Sequence, residues 1–236
     1  CQYSYLYATE LFCAFQSEKD FLKDFPYFHI LSLGCGGCAD LMGFEYFIHQ
    51  NNIEAPVFYC GIDINYKWSD IHTAIKRYAD VNNIGFNIPF YKDVFSVFKE
   101  KGITDTNIIV ISYLISYLYN SGQIRRIDEL IQLVVDKIVI KKGAGNKLLF
   151  VINDVNSNKR GRDYFKYFET AILRRRLKIT GCNFRFFDPG TLNEWQEIGE
   201  PYGIKYSVFS IPPEIQTRYH ARAGVQSTIQ LLLEVE

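Results

Sequence analysis

The chain has 236 residues, carries no formal net charge and is 48% hydrophobic. These values exclude a disordered protein and predict a globular protein with a sizeable core. The longest largely apolar run covers residues 108–119, which is shorter than the roughly 20 residues that a membrane-spanning helix needs. No secretory or transit segment is visible after Cys1, and we expect a cytoplasmic protein with no membrane partner.

The first half of the chain alternates apolar runs of strand character with helical segments. An aromatic-rich helix is predicted over residues 3–16, within an N-terminal helical segment, residues 1–27, that packs on the core. The four strands that follow are mostly apolar, as parallel strands buried on both faces are. We predict them at residues 28–34, 57–63, 85–91 and 107–113, with helices at 41–50 and 68–81.

The second half continues this alternation and ends in β segments. Apolar residues recur at helical spacing over 124–140, a strand is predicted at 147–153, and a basic helix follows at 162–177. Three β segments close the chain at residues 184–187, 206–211 and 228–235. For residues 28–236, this order predicts an α/β domain with a doubly wound, mostly parallel seven-stranded sheet and a C-terminal antiparallel hairpin.

A glycine-rich turn, Gly-Cys-Gly-Gly-Cys at residues 34–38, follows the first strand. Glycines let the backbone bend sharply and approach a ligand, and the next helix offers that ligand its unpaired N–H groups. Asp63 ends the second strand, 27 residues after Gly36, where a carboxylate can accept both hydroxyls of a ribose. The pattern therefore predicts a site for a nucleoside-containing cofactor, and NAD is one candidate.

The six cysteines sit at no regular spacing, which predicts reduced thiols and no disulfide framework. Cys35 and Cys38 form a Cys-x-x-Cys pair, a spacing that is found in zinc and redox sites. The chain has no second such pair, no histidine lies at ligand spacing, and the pair falls inside the glycine turn. The sequence therefore predicts no metal.

In this order, the features resemble those of the class I S-adenosylmethionine-dependent methyltransferases over residues 28–235. The resemblance rests on the turn at 34–38, on Asp63 and Asp93 after the second and third strands, and on Ser-Tyr-Leu at 112–114 after the fourth. It implies that S-adenosylmethionine is bound, with Asp63 at the ribose and Asp93 at the adenine amino group. The implied cofactor-binding residues are Ser32, Gly34, Cys35, Gly36, Gly37, Asp63, Ile64, Trp68, Asp93, Val94, Ser112 and Tyr113.

Two positions depart from the family pattern. Ser32 stands where the family often has an acid, two residues before the first glycine, and Cys38 stands at the third glycine position. Both departures concern contacts to the methionine end of the cofactor. NAD stays the competing cofactor, because residues 34–39 meet the tolerated Gly-x-Gly-x-x-Ala pattern. The extra acid at Asp93, the terminal β segments and the lack of a substrate domain favour the methyl donor.

The methyl acceptor is less constrained by the sequence. The fourth strand is followed by Ser-Tyr-Leu-Ile at 112–115, and not by the Asn/Asp-Pro-Pro-aromatic sequence common in methylases of base or amide nitrogens. Cytosine-C5 methylation needs a nucleophilic cysteine after the fourth or fifth strand, and none of the six cysteines lies there. Both of these chemistries are therefore disfavoured. Methyl transfer to other acceptors depends mainly on in-line positioning, with a modest base at most. The residues predicted to be catalytic are Tyr113, Asn153 and Asp154.

Charge is distributed unevenly along the chain. Residues 1–120 carry a net charge of −5 and residues 121–236 a net charge of +5. Basic residues beside aromatic ones, as in the segment 159–178, are typical of surfaces that bind nucleic-acid phosphates and unstacked bases. We therefore expect an RNA substrate. The predicted substrate-binding residues are Lys159, Arg160, Arg162, Arg174, Arg175 and Arg176.

Two alternatives stay open at this point. The first is a methyltransferase that acts on a protein or a small molecule. The second is a catalytically silent, nucleotide-binding subunit that binds a protein partner in a larger assembly. An open pocket above the methyl group would favour an enzyme, whereas a pocket filled by Tyr113 or Trp68 would favour the silent subunit.

Overall fold

A computed structural model describes six stretches of the chain. The predicted strand at 85–91 is described only as far as Asn87, and Lys159 and Arg160 lie outside the described residues. Within the described part, no helix is both long and apolar enough to span a membrane. The described residues are 2–87, 93–100, 105–139, 146–157, 161–187 and 199–236.

Eight strands form one sheet at the centre of the described structure. They are β1 (Phe28–Leu33), β2 (Val57–Ile62), β3 (Gly85–Asn87), β4 (Ile108–Ser112), β5 (Leu148–Val155), β6 (Ile179–Phe187), β7 (Glu200–Pro201) and β8 (Thr228–Val235). Their order in the sheet is β3-β2-β1-β4-β5-β8-β6-β7. The strands from β3 to β5 run parallel, whereas β8 is antiparallel to both β5 and β6.

This architecture confirms the predicted fold class, with two differences. The sheet has eight strands and not seven, because Glu200–Pro201 pairs with β6 as a short edge strand. The predicted strand at 206–211 is wrong, since Tyr206 makes only an isolated bridge, with Gly224. The Val208 N–H is donated to the Thr9 hydroxyl at 3.1 Å, so this segment binds a helix side chain and not a neighbouring strand.

Helices cover both faces of the sheet. One face carries α1 (Ser4–Ser17), α2 (Lys19–Leu22), α3 (Ala39–Gln50) and α4 (Ser69–Val81). The other face carries α5 (Val94–Glu100), α6 (Leu114–Asn120), α7 (Ile124–Val134) and α8 (Phe165–Arg174). A final helix, α9 (Pro213–Tyr219), is exposed, and a π-helical turn over Val135–Val139 extends α7. The sheet is therefore doubly wound, as the alternation of strands and helices predicts.

The N-terminal helix α1 packs closely on α3. A Cβ atom on Gly43 of α3 would lie 2.5 Å from the Ala8 carbonyl oxygen and 2.9 Å from the Phe12 backbone nitrogen. Leu6, Leu11 and most of the other apolar side chains of α1 are buried. This contact places α1 against the sheet, whereas the division into residues 1–27 and 28–236 stays a prediction.

Gly43→Ala is expected to lower the free energy of unfolding by about 1–3 kcal/mol, because the added methyl group forces the two helices apart. Urea denaturation of the full chain measures the change. Gly224→Ala is the matched control, because a Cβ atom at Gly224 meets nothing within 4 Å. Equal stabilities for the two variants would contradict the close contact of α1 with α3.

Candidate active site

A cavity of about 550 Å³ opens at the carboxyl ends of β1, β2 and β4, beside the start of α1. Such an edge of a doubly wound sheet is where ligands usually bind. The structure brings all twelve predicted cofactor-binding residues to its wall, and their binding role stays a prediction. They are Ser32, Gly34, Cys35, Gly36, Gly37, Asp63, Ile64, Trp68, Asp93, Val94, Ser112 and Tyr113.

The glycine turn bends in a way that needs glycine. Gly34 and Gly36 have φ angles of +73° and +50°, a region that side-chain-bearing residues rarely adopt. The N–H groups of Gly34 and Cys35 are donated to the Ile62 carbonyl at 2.8 and 3.1 Å, which ties the turn to the end of β2. The turn therefore forms a fixed rim of the cavity before any ligand is bound.

Asp63 holds this turn through its carboxylate. Its Oδ2 accepts the Gly36 N–H at 2.8 Å, and its Oδ1 accepts the Asn65 N–H at 2.7 Å. Each carboxylate oxygen has a second lone pair that can accept a hydroxyl. The indole ring of Trp68 packs against the turn, since a Cβ atom on Gly37 would lie 3.5 Å from it.

Asp93 lies in the cavity wall, directly before α5. Its Oδ1 accepts the Phe95 N–H at 3.1 Å, and its Oδ2 forms an ion pair with Arg126. The Arg126 guanidinium packs over the Phe95 ring, 3.9 Å from its centre. The sequence did not indicate Arg126, because it arrives from α7, 33 residues further along the chain.

Tyr113 lies in the cavity wall with a left-handed backbone, at φ +55°. Such a conformation is uncommon for a tyrosine and is found more often at functional sites. The Tyr113 ring packs against Tyr7 with centres 4.4 Å apart, and its hydroxyl is donated to Glu10 at 2.8 Å. Burial raises the pKa of Tyr113 well above its ordinary value, so this hydroxyl stays protonated.

Comparisons with known proteins agree with this architecture. No protein-family model and no curated protein matches the chain. A SAM-dependent methyltransferase from Archaeoglobus fulgidus superposes with a TM-score of 0.52 at 15% identity, over 96% of this chain and 94% of that one. The chain has the class I methyltransferase fold. The plantazolicin methyltransferase BpumL, in complex with a pentazolic desmethylPZN analogue and SAH, superposes with a TM-score of 0.51 at 17% identity. This superposition covers 98% of this chain and 84% of BpumL.

Asp40 is a cavity residue that the sequence interpretation missed, although it directly follows the glycine turn. Its side chain is buried, and its Oδ1 accepts the Tyr59 hydroxyl at 2.9 Å. Its Oδ2 is buried with no hydrogen-bond partner among the described residues. Burial raises the pKa of Asp40, and the hydroxyl groups of Ser32 and Tyr59 oppose this shift. Asp40 thus places a buried acid beside Ser32 in the cavity wall.

Asn153 and Asp154 are not brought to the cavity, and the structure gives no support to their predicted catalytic role. Asp154 is fully buried, and its Oδ2 accepts the Ser116 N–H at 3.0 Å at the start of α6. Asn153 is also fully buried, donating to Glu10 at 2.9 Å and accepting from Gln230 at 2.9 Å. Both side chains are directed into hydrogen bonds that join the sheet to its helices.

The predicted substrate-binding arginines are not one exposed basic surface. Arg162 is 8% exposed and donates to the Asn156 side chain at 3.0 Å. Arg175 forms an ion pair with Asp136 at 2.6 Å. The aromatic side chains of α8 that were predicted to lie beside the arginines include Phe165 and Phe168, which are fully buried in the core. Arg174 and Arg176 are exposed.

The sheet register places Arg174 and Arg176 far from the cavity. They precede Ile179, which pairs with Val235, and Val235 pairs in turn with Leu148 at the first residue of β5. These arginines therefore lie at the amino-terminal edge of the parallel strands, and the cavity lies at the carboxyl edge. The length of β5 separates the two edges by about 25 Å. The prediction that they hold the substrate at the site has no support from their placement.

Proposed function

We propose that this chain is an S-adenosylmethionine-dependent methyltransferase. The observation that carries the proposal is the meeting of all twelve predicted cofactor residues around one cavity, in a fold that BpumL structures share with SAH bound. S-adenosylmethionine supplies an electrophilic methyl group on a sulfonium. The silent-subunit alternative would require a cavity filled by Tyr113 or Trp68. Both side chains instead line an open cavity, which favours an enzyme.

The residues of the cavity fit the parts of this cofactor. Asp63 has lone pairs for the ribose hydroxyls, and the hydrogen bond that it accepts from the Gly36 N–H fixes the glycine turn beside it. Asp93 also lines the cavity, and we place the adenine beside it. Asp40 has a buried oxygen without a partner, and the α-ammonium of the methionine part is the cationic group that would satisfy it. This acid therefore makes up for the one that Ser32 replaces.

The chain's contribution to methyl transfer is chiefly positioning. Transfer to a nucleophile needs the acceptor atom in line with the sulfonium, and holding both partners supplies much of the rate. Tyr7 lies in the cavity wall, and burial raises its pKa to about 12. Tyr7 is therefore protonated at neutral pH and offers a hydrogen-bond donor to the acceptor, and not a base.

We infer that the acceptor is a small molecule or a peptide. The wall of the cavity on the side of α1 is formed by Tyr3, Ser4 and Tyr7, with Tyr117 of α6 beside it, 59% exposed. Tyrosines offer apolar area with a polar end, which suits an organic ligand of limited size. BpumL, which is named for plantazolicin and holds a desmethylPZN analogue, is consistent with this class. The exposed Arg174 and Arg176 lie at the other edge of the sheet.

Calorimetric titration with S-adenosylhomocysteine tests the cofactor, and transfer of a labelled methyl group tests the acceptor. We expect saturable heat, and label in small-molecule or peptide fractions of a cell extract. Absence of heat would overturn the cofactor proposal. The labelled methyl group could instead appear in RNA, and this labelling could be lost in the double variant Arg174→Glu, Arg176→Glu. That result would overturn the small acceptor and make RNA the substrate.

Asp40→Asn is expected to weaken the binding of S-adenosylhomocysteine by about tenfold to 100-fold, because a neutral amide replaces the buried acceptor of the ammonium. The same variant should leave the affinity for 5′-methylthioadenosine, which lacks the amino-acid part, within about twofold. Asp70→Asn, at an exposed position of α4, is the matched control. An equal loss for both ligands would place the effect of Asp40 on the fold of the turn and not on the ammonium.

A further inference from the structure

The structure brings a histidine to the Cys-x-x-Cys pair of the glycine turn. His72 lies 34 residues after Cys38 in the chain, in the first turn of α4. Yet the ligand atoms of Cys35, Cys38 and His72 all lie within 4.8 Å of one another, and all three side chains are buried. We propose that these three residues bind a zinc ion. The prediction of no metal rested on sequence spacing, which does not show that α4 folds back over the turn.

The distances fit a tetrahedral ion after a small adjustment. Zinc binds sulfur at about 2.3 Å and imidazole nitrogen at about 2.0 Å, so its ligand atoms lie roughly 3.3–3.8 Å apart. The ligand atoms lie up to 4.8 Å apart in the structure. Side-chain movements of a fraction of an ångström to about 1 Å would bring these separations into that range. Two thiolates and one imidazole form a soft donor set, which favours zinc over magnesium or calcium.

His72 is already held in the orientation of a ligating histidine. Its Nε2 lies 2.6 Å from the Gly36 carbonyl oxygen, and because a carbonyl only accepts, this nitrogen donates. In the neutral ring, the other nitrogen then carries the lone pair that a metal needs. A backbone carbonyl that orients a ligating imidazole is the usual support in metal sites. Gly36 belongs to the same turn as the two cysteines, so the support and the ligands move together.

The neighbouring strand leaves room for the sulfur of Cys35. A Cβ atom on Gly61 of β2 would lie 2.8 Å from the Cys35 Sγ and 3.2 Å from its Cβ. The absence of a side chain at Gly61 thus makes the space that the thiol occupies. Cys38 has a left-handed backbone, at φ +55°, directly before the first residue of α3. Among the described residues, no other cysteine, histidine or carboxylate joins this group.

The fourth position of the ion is left to water or to a ligand in the cavity, because Cys35 also lines the cavity wall. Three protein ligands with an open position are the pattern of zinc sites that exchange a ligand. The ion would join the turn, through Cys35 and Cys38, to α4, through His72. The site would therefore stiffen the turn whose Gly36 N–H is bound by Asp63.

Uptake of Co²⁺, a spectroscopic substitute for zinc, tests the proposal on the full reduced chain. We expect one Co²⁺ per chain, with thiolate-to-metal charge-transfer absorption and the intense visible bands of a tetrahedral site, both lost on adding one equivalent of Zn²⁺. Cys38→Ser should abolish the charge-transfer band or weaken the affinity at least 100-fold, and His72→Gln should weaken it at least tenfold. Cys60→Ser, which removes a thiol of β2 outside the group, should change neither.

Three results would overturn the proposal. One is the absence of thiolate bands in protein whose free thiols have been counted as reduced. Another is an affinity that is unchanged in both Cys38→Ser and His72→Gln. The third is rapid formation of a Cys35–Cys38 disulfide in place of metal uptake, which would make the pair a redox site. Far-UV circular dichroism of each variant checks folding, and Cys35→Ser is the second variant if Cys38→Ser does not fold. Binding of S-adenosylhomocysteine is measured separately, so failure of either site leaves the other testable.

Discussion

Asp63→Ala is expected to weaken the binding of S-adenosylhomocysteine by about 100-fold. The carboxylate has two functions in the proposed site, because it accepts the N–H groups of Gly36 and Asn65 and also offers lone pairs to the ribose. Alanine removes the ribose acceptor and releases the turn at the same time. Hydrogen bonds to a charged group contribute roughly 1.5–3 kcal/mol each, which supports a loss of this size. Calorimetric titration measures it directly.

A further variant and a control separate the two functions of Asp63. Asp63→Asn keeps one acceptor oxygen for the backbone and has no charge, so we expect a loss of about tenfold. Asp80→Ala is the matched control, because Asp80 is an exposed acid at the end of α4 whose partner is Lys76 at 2.9 Å. Wild-type affinity in Asp63→Ala, with thermal unfolding unchanged, would show that the cofactor does not lie on this carboxylate.

Much of this site could be predicted because it follows from local sequence rules. Apolar runs of five or six residues define β1, β2 and β4, and parallel strands carry their carboxyl ends to one edge of the sheet. Asp63 and Ser112 come directly after or at the end of such strands, so their meeting around the cavity follows from topology. The same rule, applied to β5, predicted Asn153 and Asp154 at the cavity, whereas neither is among the residues that line it.

The contacts that the sequence did not indicate have a common physical cause, because side-chain direction depends on partners that are distant in the sequence. Asn153 is turned into the core by Glu10, 143 residues earlier in the chain. His72 reaches the cysteine pair only because α4 folds over the turn. The segment 206–211 has strand-like composition, but its backbone meets the side chain of Thr9 on α1. The hydrophobic periodicity of the sequence does not indicate contacts between residues so far apart in the chain.

Glu10 is the residue through which α1 is bound to the sheet. It is fully buried, and its carboxylate accepts hydrogen bonds from Tyr113 at 2.8 Å, Asn153 at 2.9 Å and Thr228 at 2.9 Å. Its backbone carbonyl accepts the Gln230 amide at 2.8 Å. One acid thus connects α1 with β5, with β8 and with the tyrosine that lines the cavity. A buried network of this kind is costly to leave partly satisfied.

Glu10→Ala is expected to lower the free energy of unfolding by about 3–5 kcal/mol, because it leaves buried donors without their acceptor. Glu10→Gln should cost far less. The Gln oxygen can accept from Tyr113 and Asn153, and its amide can donate to the Thr228 hydroxyl, which then donates to the Tyr113 oxygen at 3.0 Å. Chemical denaturation measures both variants. Equal losses would show that the charge, and not the pattern of hydrogen bonds, stabilises the contact.

The pH dependence of stability separates the two forms of Glu10. Burial raises its pKa to about 7 from an ordinary value of 4.5, against the opposing hydrogen bonds from Asn153, Tyr113 and Thr228. Because the folded state binds this proton more tightly, its stabilising effect is complete below pH 4.5 and is lost as the pH rises to about 7. The group therefore lowers stability by about 1 kcal/mol per pH unit in that window.

Glu10→Gln removes this titration, so its free energy of unfolding should fall less steeply than that of the wild type between pH 5 and 7. Glu18→Gln should flatten the curve as well, since burial and the neighbouring Glu234 raise the pKa of Glu18 to about 7. Glu214→Gln, at an exposed position of α9, is the control that should leave the slope unchanged. A wild-type slope in Glu10→Gln would mean that Glu10 is ionised in the folded protein throughout this range.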